Sequence, residues 1–151
     1  MEPVTRYRGV AVLALVGLFI SAYLLLHNLG YYGDLICGTG SCEVVQTSEY
    51  AVFLGVPVPA WGAAWYGGML VLSLLAAARP PADPRGVNGA VRLVALGATA
   101  GLVFSAYLTS IEAFVLDAWC RWCIASAVLT VLIFGLAAPW RALRTGSRPP
   151  S

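Results

Sequence analysis

Two closely spaced cysteine pairs are the residues of this sequence that are best suited to chemistry. Cys37 and Cys42 enclose the first motif, C-G-T-G-S-C, and Cys120 and Cys123 enclose the second, C-R-W-C. A C-x-x-C spacing is typical of redox and metal-binding sites. The pairs alone leave three uses open: two structural disulfides, one zinc site formed by all four thiolates, or a relay of thiol–disulfide exchange.

The two pairs stand in different local settings, and this difference favours the relay. The glycines of C-G-T-G-S-C allow the chain to turn, so that the first two Cα atoms can approach to disulfide distance. We expect the second pair to lie on one face at the start of a helix, where the helix N-terminus favours the reactive thiolate. A mobile pair would then meet a protein partner, and a fixed pair would meet a molecule in the membrane.

Membrane-spanning helices are the elements that must position these pairs. The chain is 60% hydrophobic and 11% charged, whereas a soluble domain has about 25% charged residues. A helix needs about 20 mainly apolar residues to cross a bilayer. Four runs meet this requirement, at 10–29, 61–78, 91–111 and 120–139. We therefore predict an all-α integral membrane protein, a single domain over 1–151 with four transmembrane helices and one long loop, 30–60.

The basic residues predict the orientation of this bundle. All nine are arginines, and Arg121 alone falls on the side opposite the other eight. Because cytoplasmic loops carry an excess of basic residues, we expect both termini in the cytoplasm and all four cysteines on the extracytoplasmic side. The net charge of +2 reflects this topology. This charge does not indicate nucleic-acid binding, which requires a clustered basic patch.

One octapeptide occurs twice in the predicted helices. Residues 17–24 read GLFISAYL and residues 101–108 read GLVFSAYL. Each copy carries a small-x-x-x-small pattern, Gly17 with Ser21 and Gly101 with Ser105, which allows close helix contact. The repeat is explained either by helix packing alone or by two related helical hairpins that each present a cysteine pair on the same side.

Taken together, these features resemble the bacterial branch of the vitamin K epoxide reductase family. The resemblance rests on C-G-T-G-S-C, on Ser48 in S-E-Y, on G-V-P-V-P-A-W-G-A-A-W-Y and on C-R-W-C at the last predicted helix. It implies a four-helix bundle around a quinone, capped by a short horizontal helix in the first extracytoplasmic loop. We expect the single-domain form, without a fused thioredoxin-like domain. Its partner would be a separate thioredoxin-like periplasmic protein, and its location the bacterial inner membrane.

The resemblance also implies a role for each cysteine. Cys37 and Cys42 would exchange with the partner, and Cys42 would then exchange with Cys120. Cys123 would stand next to the quinone. Ser48 would lie on the capping segment and assist transfer between the pairs.

The second predicted helix offers aromatic side chains for the quinone. A flat apolar ring needs aromatic walls and one or two hydrogen-bond donors. Near the outer end of this helix, the candidates for such contacts are Trp61, Trp65 and Tyr66. Either menaquinone or ubiquinone would serve as electron acceptor, and we expect no metal.

Two departures from the animal members of the family bear on the substrate. Those enzymes carry an Asn and a Tyr that contact vitamin K, and the corresponding positions here are Val58 and Ala127. This favours quinone reduction over epoxide reduction. The sequence thus predicts a quinone-dependent thiol oxidoreductase that generates disulfides de novo. The alternatives are a non-enzymatic four-helix membrane scaffold with structural disulfides, and a vitamin K epoxide or quinone reductase.

Overall fold

The computed structural model describes residues 3–31, 33, 42–79 and 89–137, and most of them are helical. The five α-helices are α1 (Pro3–Asn28), α2 (Cys42–Thr47), α3 (Val58–Ala78), α4 (Gly89–Ile111) and α5 (Arg121–Ala137). Between α2 and α3 lie a 3-10 turn, Glu49–Ala51, and two short strands, β1 (Val52–Phe53) and β2 (Val56–Pro57). A π-helical turn, Glu112–Leu116, continues α4.

Three of these helices are long and apolar enough to cross a membrane: Val4–Asn28, Val58–Ala78 and Gly89–Leu116. The fourth predicted span corresponds to α5, which is apolar but has 17 described residues and falls below that length. The end of that prediction, 138–139, lies outside the described residues. Helix α5 begins at Arg121, so the prediction that Cys120 opens the helix is wrong by one residue.

Three helices begin earlier than the apolar runs predicted, and one of them is α4, which starts at Gly89 rather than residue 91. Helix α1 starts at Pro3 rather than residue 10, because hydropathy marks the apolar part of a helix and not its polar first turns. Helix α3 starts at Val58 rather than residue 61 and includes Pro59 in its first turn. Proline is tolerated there because the first N–H groups of a helix have no partner within the helix.

The four long helices are arranged so that each contacts two neighbours. Helix α1 packs on α3 and α5, and α4 packs on α3 and α5. One half of the bundle is filled by a closely packed cluster, and its members are Tyr7, Val10, Ala14, Tyr66, Met69, Ala76, Val91, Val94, Ala98, Ile133 and Ala137. Large apolar side chains cover the outer faces, for example Phe19 and Leu96. Outer faces of this kind suit contact with lipid, whose hydrocarbon core offers no partner for polar groups.

The repeated octapeptide packs its two glycines against neighbouring aromatic rings of α3. A Cβ atom at Gly17 would overlap the ring of Tyr66, and one at Gly101 would overlap the indole of Trp65. Each glycine therefore allows an aromatic side chain to reach the backbone of a flanking helix. The contacts fit helix packing alone, because both glycines have a packing role. They also fit two related helical hairpins, because the two copies have the same role.

A short hairpin joins the 3-10 turn to α3. In its register Val52 pairs with Pro57 and Phe53 with Val56. The two residues between the strands, Leu54 and Gly55, have φ values of 54° and 79°, as a two-residue type I′ turn requires. Part of the predicted loop 30–60 is thus ordered by α2 and this hairpin. That α2 is a horizontal cap stays a prediction.

Candidate functional site

The three cysteines that the structure describes fall into two states. Cys42 opens α2, is fully buried and is disulfide-bonded. Cys120 and Cys123 are free thiols, so neither of them is its partner. The predicted role of Cys37 lies outside the described residues.

Helix α5 positions the second cysteine pair. Cys120 precedes the helix and its carbonyl accepts the first intrahelical bond, from the N–H of Ile124 at 2.9 Å. Cys123 lies in the first turn of α5. The Cys120 side chain is fully buried, whereas that of Cys123 is partly exposed. The i,i+3 spacing brings the two side chains together, as the sequence predicted, and they are hydrogen-bonded.

Two polar side chains from other elements contact this pair. From α2, the Nε2 atom of Gln46 lies 3.6 Å from the Sγ atom of Cys123 and 3.9 Å from that of Cys120. From the π-helical turn, Oε2 of Glu112 accepts the backbone N–H of Cys120 at 3.2 Å. The Glu112 carboxyl is also hydrogen-bonded to the Cys123 side chain. The second pair therefore has a donor on one side and an acceptor on the other.

These contacts change the acidity of Cys120, which lies outside the helix. The hydrogen bond from the Cys123 side chain lowers the pKa of Cys120 against the opposing effect of burial, and the Gln46 amide adds to the lowering. Hydrogen bonds to sulfur favour the thiolate because it is the better acceptor. These contacts therefore favour the nucleophilic thiolate at Cys120.

The π-helical turn explains how Glu112 reaches the cysteines. Its carbonyl accepts the N–H of Ala118 at 3.1 Å, a wider loop than an α-helix makes. Asp117 then adopts a left-handed conformation with φ 45° and ends the turn. The chain reverses here and returns Cys120 to the Glu112 carboxyl. Glu112 is only 5% exposed.

Sequence reasoning missed both Gln46 and Glu112. Glu112 follows the predicted span 91–111 directly. An ionisable residue at the end of an apolar run is itself a signal of function, because such groups are costly near lipid. For Gln46 the sequence contains no comparable signal, since its contact depends on how α2 packs.

A cavity of about 370 Å³ occupies the half of the bundle next to the second cysteine pair. It is formed by the four long helices and is closed at one end by residues of α2, the 3-10 turn and the hairpin. Cys123 lines this cavity, whereas Cys120 is absent from its lining. The volume lies within the range of small-molecule sites. The two sulfurs of the pair thus differ in what they can contact.

All three predicted aromatic contacts line this cavity, but their polar groups are already bound. The indole N–H groups of Trp61 and Trp65 donate to the carbonyls of Phe53 at 3.0 Å and Gly97 at 2.9 Å. The Tyr66 hydroxyl is hydrogen-bonded to α5, at 2.8 Å from Ser126 Oγ. These residues therefore offer ring surface rather than free donors.

Hydroxyl groups from the repeated octapeptide supply polar atoms to the cavity lining. Ser21 and Ser105 occupy the same position in the two copies, and both line the cavity. Val58 and Ala127 also line it. Both of these side chains add apolar surface to the cavity.

Ser48 lies at the cavity end that α2 closes. It precedes the 3-10 turn, but its side chain makes no capping bond there, and its hydroxyl instead donates to the Val45 carbonyl at 2.8 Å. A helix-capping role is therefore not what this side chain performs. Within the described part of the chain, no group of three or more His, Cys, Asp or Glu side chains is arranged to hold a metal ion.

Comparison with known protein families identifies the chain. Residues 9–138 match the model of the vitamin K epoxide reductase family. The match covers all of the described helices except the first residues of α1, and it includes both cysteine pairs. With its long apolar helices and its paired cysteines, the chain belongs to the vitamin K epoxide reductase family and is a multi-pass membrane oxidoreductase.

Proposed function

We propose that this protein is a quinone-dependent thiol oxidoreductase that generates disulfides de novo. It would oxidise a separate thioredoxin-like protein and pass the electrons through two cysteine pairs to a membrane quinone. The observation that carries the proposal is the asymmetry of the second pair. Cys123 lines an apolar cavity walled by aromatic rings, while Cys120 is buried outside that lining.

The cavity suits a flat apolar ring. Aromatic side chains supply its walls, and the Ser21 and Ser105 hydroxyls are candidate donors to the carbonyl oxygens of a quinone. The bound quinone would accept two electrons and two protons in all. Because Val58 and Ala127 offer no polar group, we expect little activity on vitamin K epoxide.

The first steps are thiol–disulfide exchanges. A partner thiolate would attack the disulfide formed by Cys37 and Cys42, most simply at Cys37, which frees Cys42. The Cys42 thiolate would then attack Cys120 of a Cys120–Cys123 disulfide, and Cys123 would leave as a thiolate facing the cavity. Each exchange depends on the thiolate fraction, the leaving group and access.

Glu112 gives the reduced pair a local proton acceptor. Among the residues that line the cavity it is the one carboxyl group, and it is hydrogen-bonded to the Cys123 side chain. Oxidation of the dithiol releases two protons, and reduction of the quinone to a quinol takes up two. In the reduced pair the Cys123 thiol donates a hydrogen bond to Cys120. We propose that the Glu112 carboxylate takes the proton of this thiol and passes it to the quinone. Ser48 would assist transfer at the end of the cavity near α2.

The test is turnover by the purified protein. Given a quinone and a reduced thioredoxin-like substrate, the protein should consume substrate thiols, and Cys123→Ala should stop this. Ser110→Ala is a suitable control, because that hydroxyl is exposed and bonds within its own helix. A scaffold would turn over nothing in any form of the protein, and an epoxide reductase would act on vitamin K epoxide. Either result would refute the proposal.

The proposed topology has a separate test. We propose that both termini lie in the cytoplasm of a bacterial cell and that the cysteine pairs face the outside of its inner membrane. A membrane-impermeant maleimide should label a variant that carries Glu43→Cys as its single cysteine in intact spheroplasts, because this neighbour of the buried Cys42 is exposed. Labelling that requires lysis of the spheroplasts would place the pair in the cytosol and contradict the relay.

A further inference from the structure

A side-chain amide from α2 contacts both sulfurs of the second cysteine pair. The Nε2 atom of Gln46 is 3.6 Å from the Sγ atom of Cys123 and 3.9 Å from that of Cys120. These residues are 77 and 74 positions away in the chain. An amide nitrogen has two N–H donors, so one group can serve both sulfurs. The shorter distance is to Cys123, the sulfur that lines the cavity.

Gln46 is carried by the same short helix as the cysteine of the first pair. Cys42 is the first residue of α2, and Gln46 follows it by four positions. Residues at i and i+4 share a helix face. The face of α2 that presents Cys42 therefore also presents the Gln46 amide, and the amide is in contact with the second pair.

We infer that Gln46 stabilises Cys123 as the leaving thiolate when electrons pass from the first cysteine pair to the second. The inference rests on the proposed relay. In this step the Cys42 thiolate attacks Sγ of Cys120, a Cys42–Cys120 bond forms and the Cys120–Cys123 bond breaks. The electron pair of the broken bond goes to the Cys123 sulfur, and no proton moves.

The amide is suited to this role because negative charge develops on sulfur in a site with few other donors. A donor placed where charge develops lowers the barrier, as an oxyanion hole does for oxygen. The Glu112 carboxyl lies on the other side and accepts hydrogen bonds, so it cannot donate to the thiolate while ionised. Gln46 thus supplies what Glu112 does not.

The reactivity of Cys123 in reduced, quinone-free protein that also carries Cys120→Ala tests the inference, because Cys120 then no longer competes with Cys123 for the Gln46 donors. Gln46→Leu removes the donors, and alkylation of Cys123 at neutral pH, resolved by mass spectrometry, should slow by about tenfold, the lower range for a hydrogen bond to a charged group. Thr47→Val is the matched control, because Thr47 is exposed on the same helix and bonds only to the Glu43 carbonyl among the described residues. This control should react like the wild type.

A second variant keeps the test decisive if Gln46→Leu fails to fold. Gln46→Glu retains the shape and loses the N–H donors, so it should also slow the alkylation of Cys123. An unchanged or faster rate in a folded variant of either kind would overturn the inference. The measurement needs no quinone, so it separates the two proposals. A wild-type protein that reduces no quinone would refute the proposed function, while the alkylation rates would still decide the role of the amide.

Discussion

A methyl group added at Gly101 should disturb the wall of the cavity through Trp65. The Cβ atom of Gly101→Ala would meet three atoms of the indole ring, and the farthest of the three is 2.9 Å away. The ring cannot retreat without cost, because its N–H donates to the Gly97 carbonyl at 2.9 Å. Its edge also packs against the Tyr66 ring, with centroids 4.9 Å apart.

The expected magnitude follows from two opposing effects. Overpacking of a well-packed site costs about 1–3 kcal/mol, and loss of the indole hydrogen bond would add about 1 kcal/mol. Replacing glycine by alanine in a helix gains about 0.5–1 kcal/mol. Gly101→Ala should therefore lower the free energy of unfolding by about 1–3 kcal/mol. Gly68→Ala is the matched control, because no atom lies within 4 Å of its Cβ position, and it should be neutral or stabilising.

Thermal unfolding in detergent and quinone titration together measure this prediction. Gly101→Ala should melt at a lower temperature than the wild type, and its KM for quinone should rise because Trp65 lines the cavity. Gly68→Ala should neither lower the melting temperature nor raise the KM for quinone. If the two variants are equally stable and bind quinone equally well, the close contact between Gly101 and Trp65 does not hold the cavity wall, and the packing argument fails.

Three further predictions concern other contacts of the bundle. The Arg6 guanidinium donates to the Leu136 carbonyl at 2.7 and 3.0 Å, so Arg6→Ala should lower the free energy of unfolding by about 1–2 kcal/mol. Arg8 is exposed, and Arg8→Ala should not lower it. Equal melting temperatures of the two variants would contradict this prediction. Tyr66→Phe removes a buried hydroxyl bound to α5 and should cost about 1 kcal/mol, measured by chemical unfolding; a more stable variant would show that the hydroxyl does not tie α3 to α5. Glu112→Gln should reduce quinone-coupled thiol oxidation by about 100-fold or more, with the exposed Glu43→Gln as control, and full turnover by Glu112→Gln would exclude a role in proton transfer.

Three of the four predicted membrane spans correspond to helices that are long and apolar enough to cross a membrane, and the sequence could predict them because the signal is local. A long uncharged run identifies a helix in lipid whatever its neighbours are. The errors lie at the ends of the helices. Helices α1 and α3 extend beyond the apolar runs, and the predicted span 91–111 continues into a π-helical turn that no hydropathy pattern indicates. The family assignment also followed from the sequence, through the two cysteine motifs and their order.

The candidate site was predicted in part. The structure places Ser48, Trp61, Trp65, Tyr66 and Cys123 around one cavity, which the sequence proposed without being able to demonstrate. Whether these residues contact a quinone stays a prediction. The sequence did not indicate that the polar groups of the three aromatic residues are occupied by hydrogen bonds, because their partners belong to other turns and helices.

The sequence by itself determined that this protein is helical, that it has the apolar runs of a membrane protein and that its four cysteines form two close pairs. Only the tertiary structure decided which sulfur of the second pair faces the cavity and which polar side chains contact the pair. The physical reason is distance along the chain. Gln46 meets Cys123 across 77 positions, and the π-helical turn brings Glu112 back to Cys120. Contacts of this kind depend on how helices pack, and the spacing of residues within one helix does not encode them.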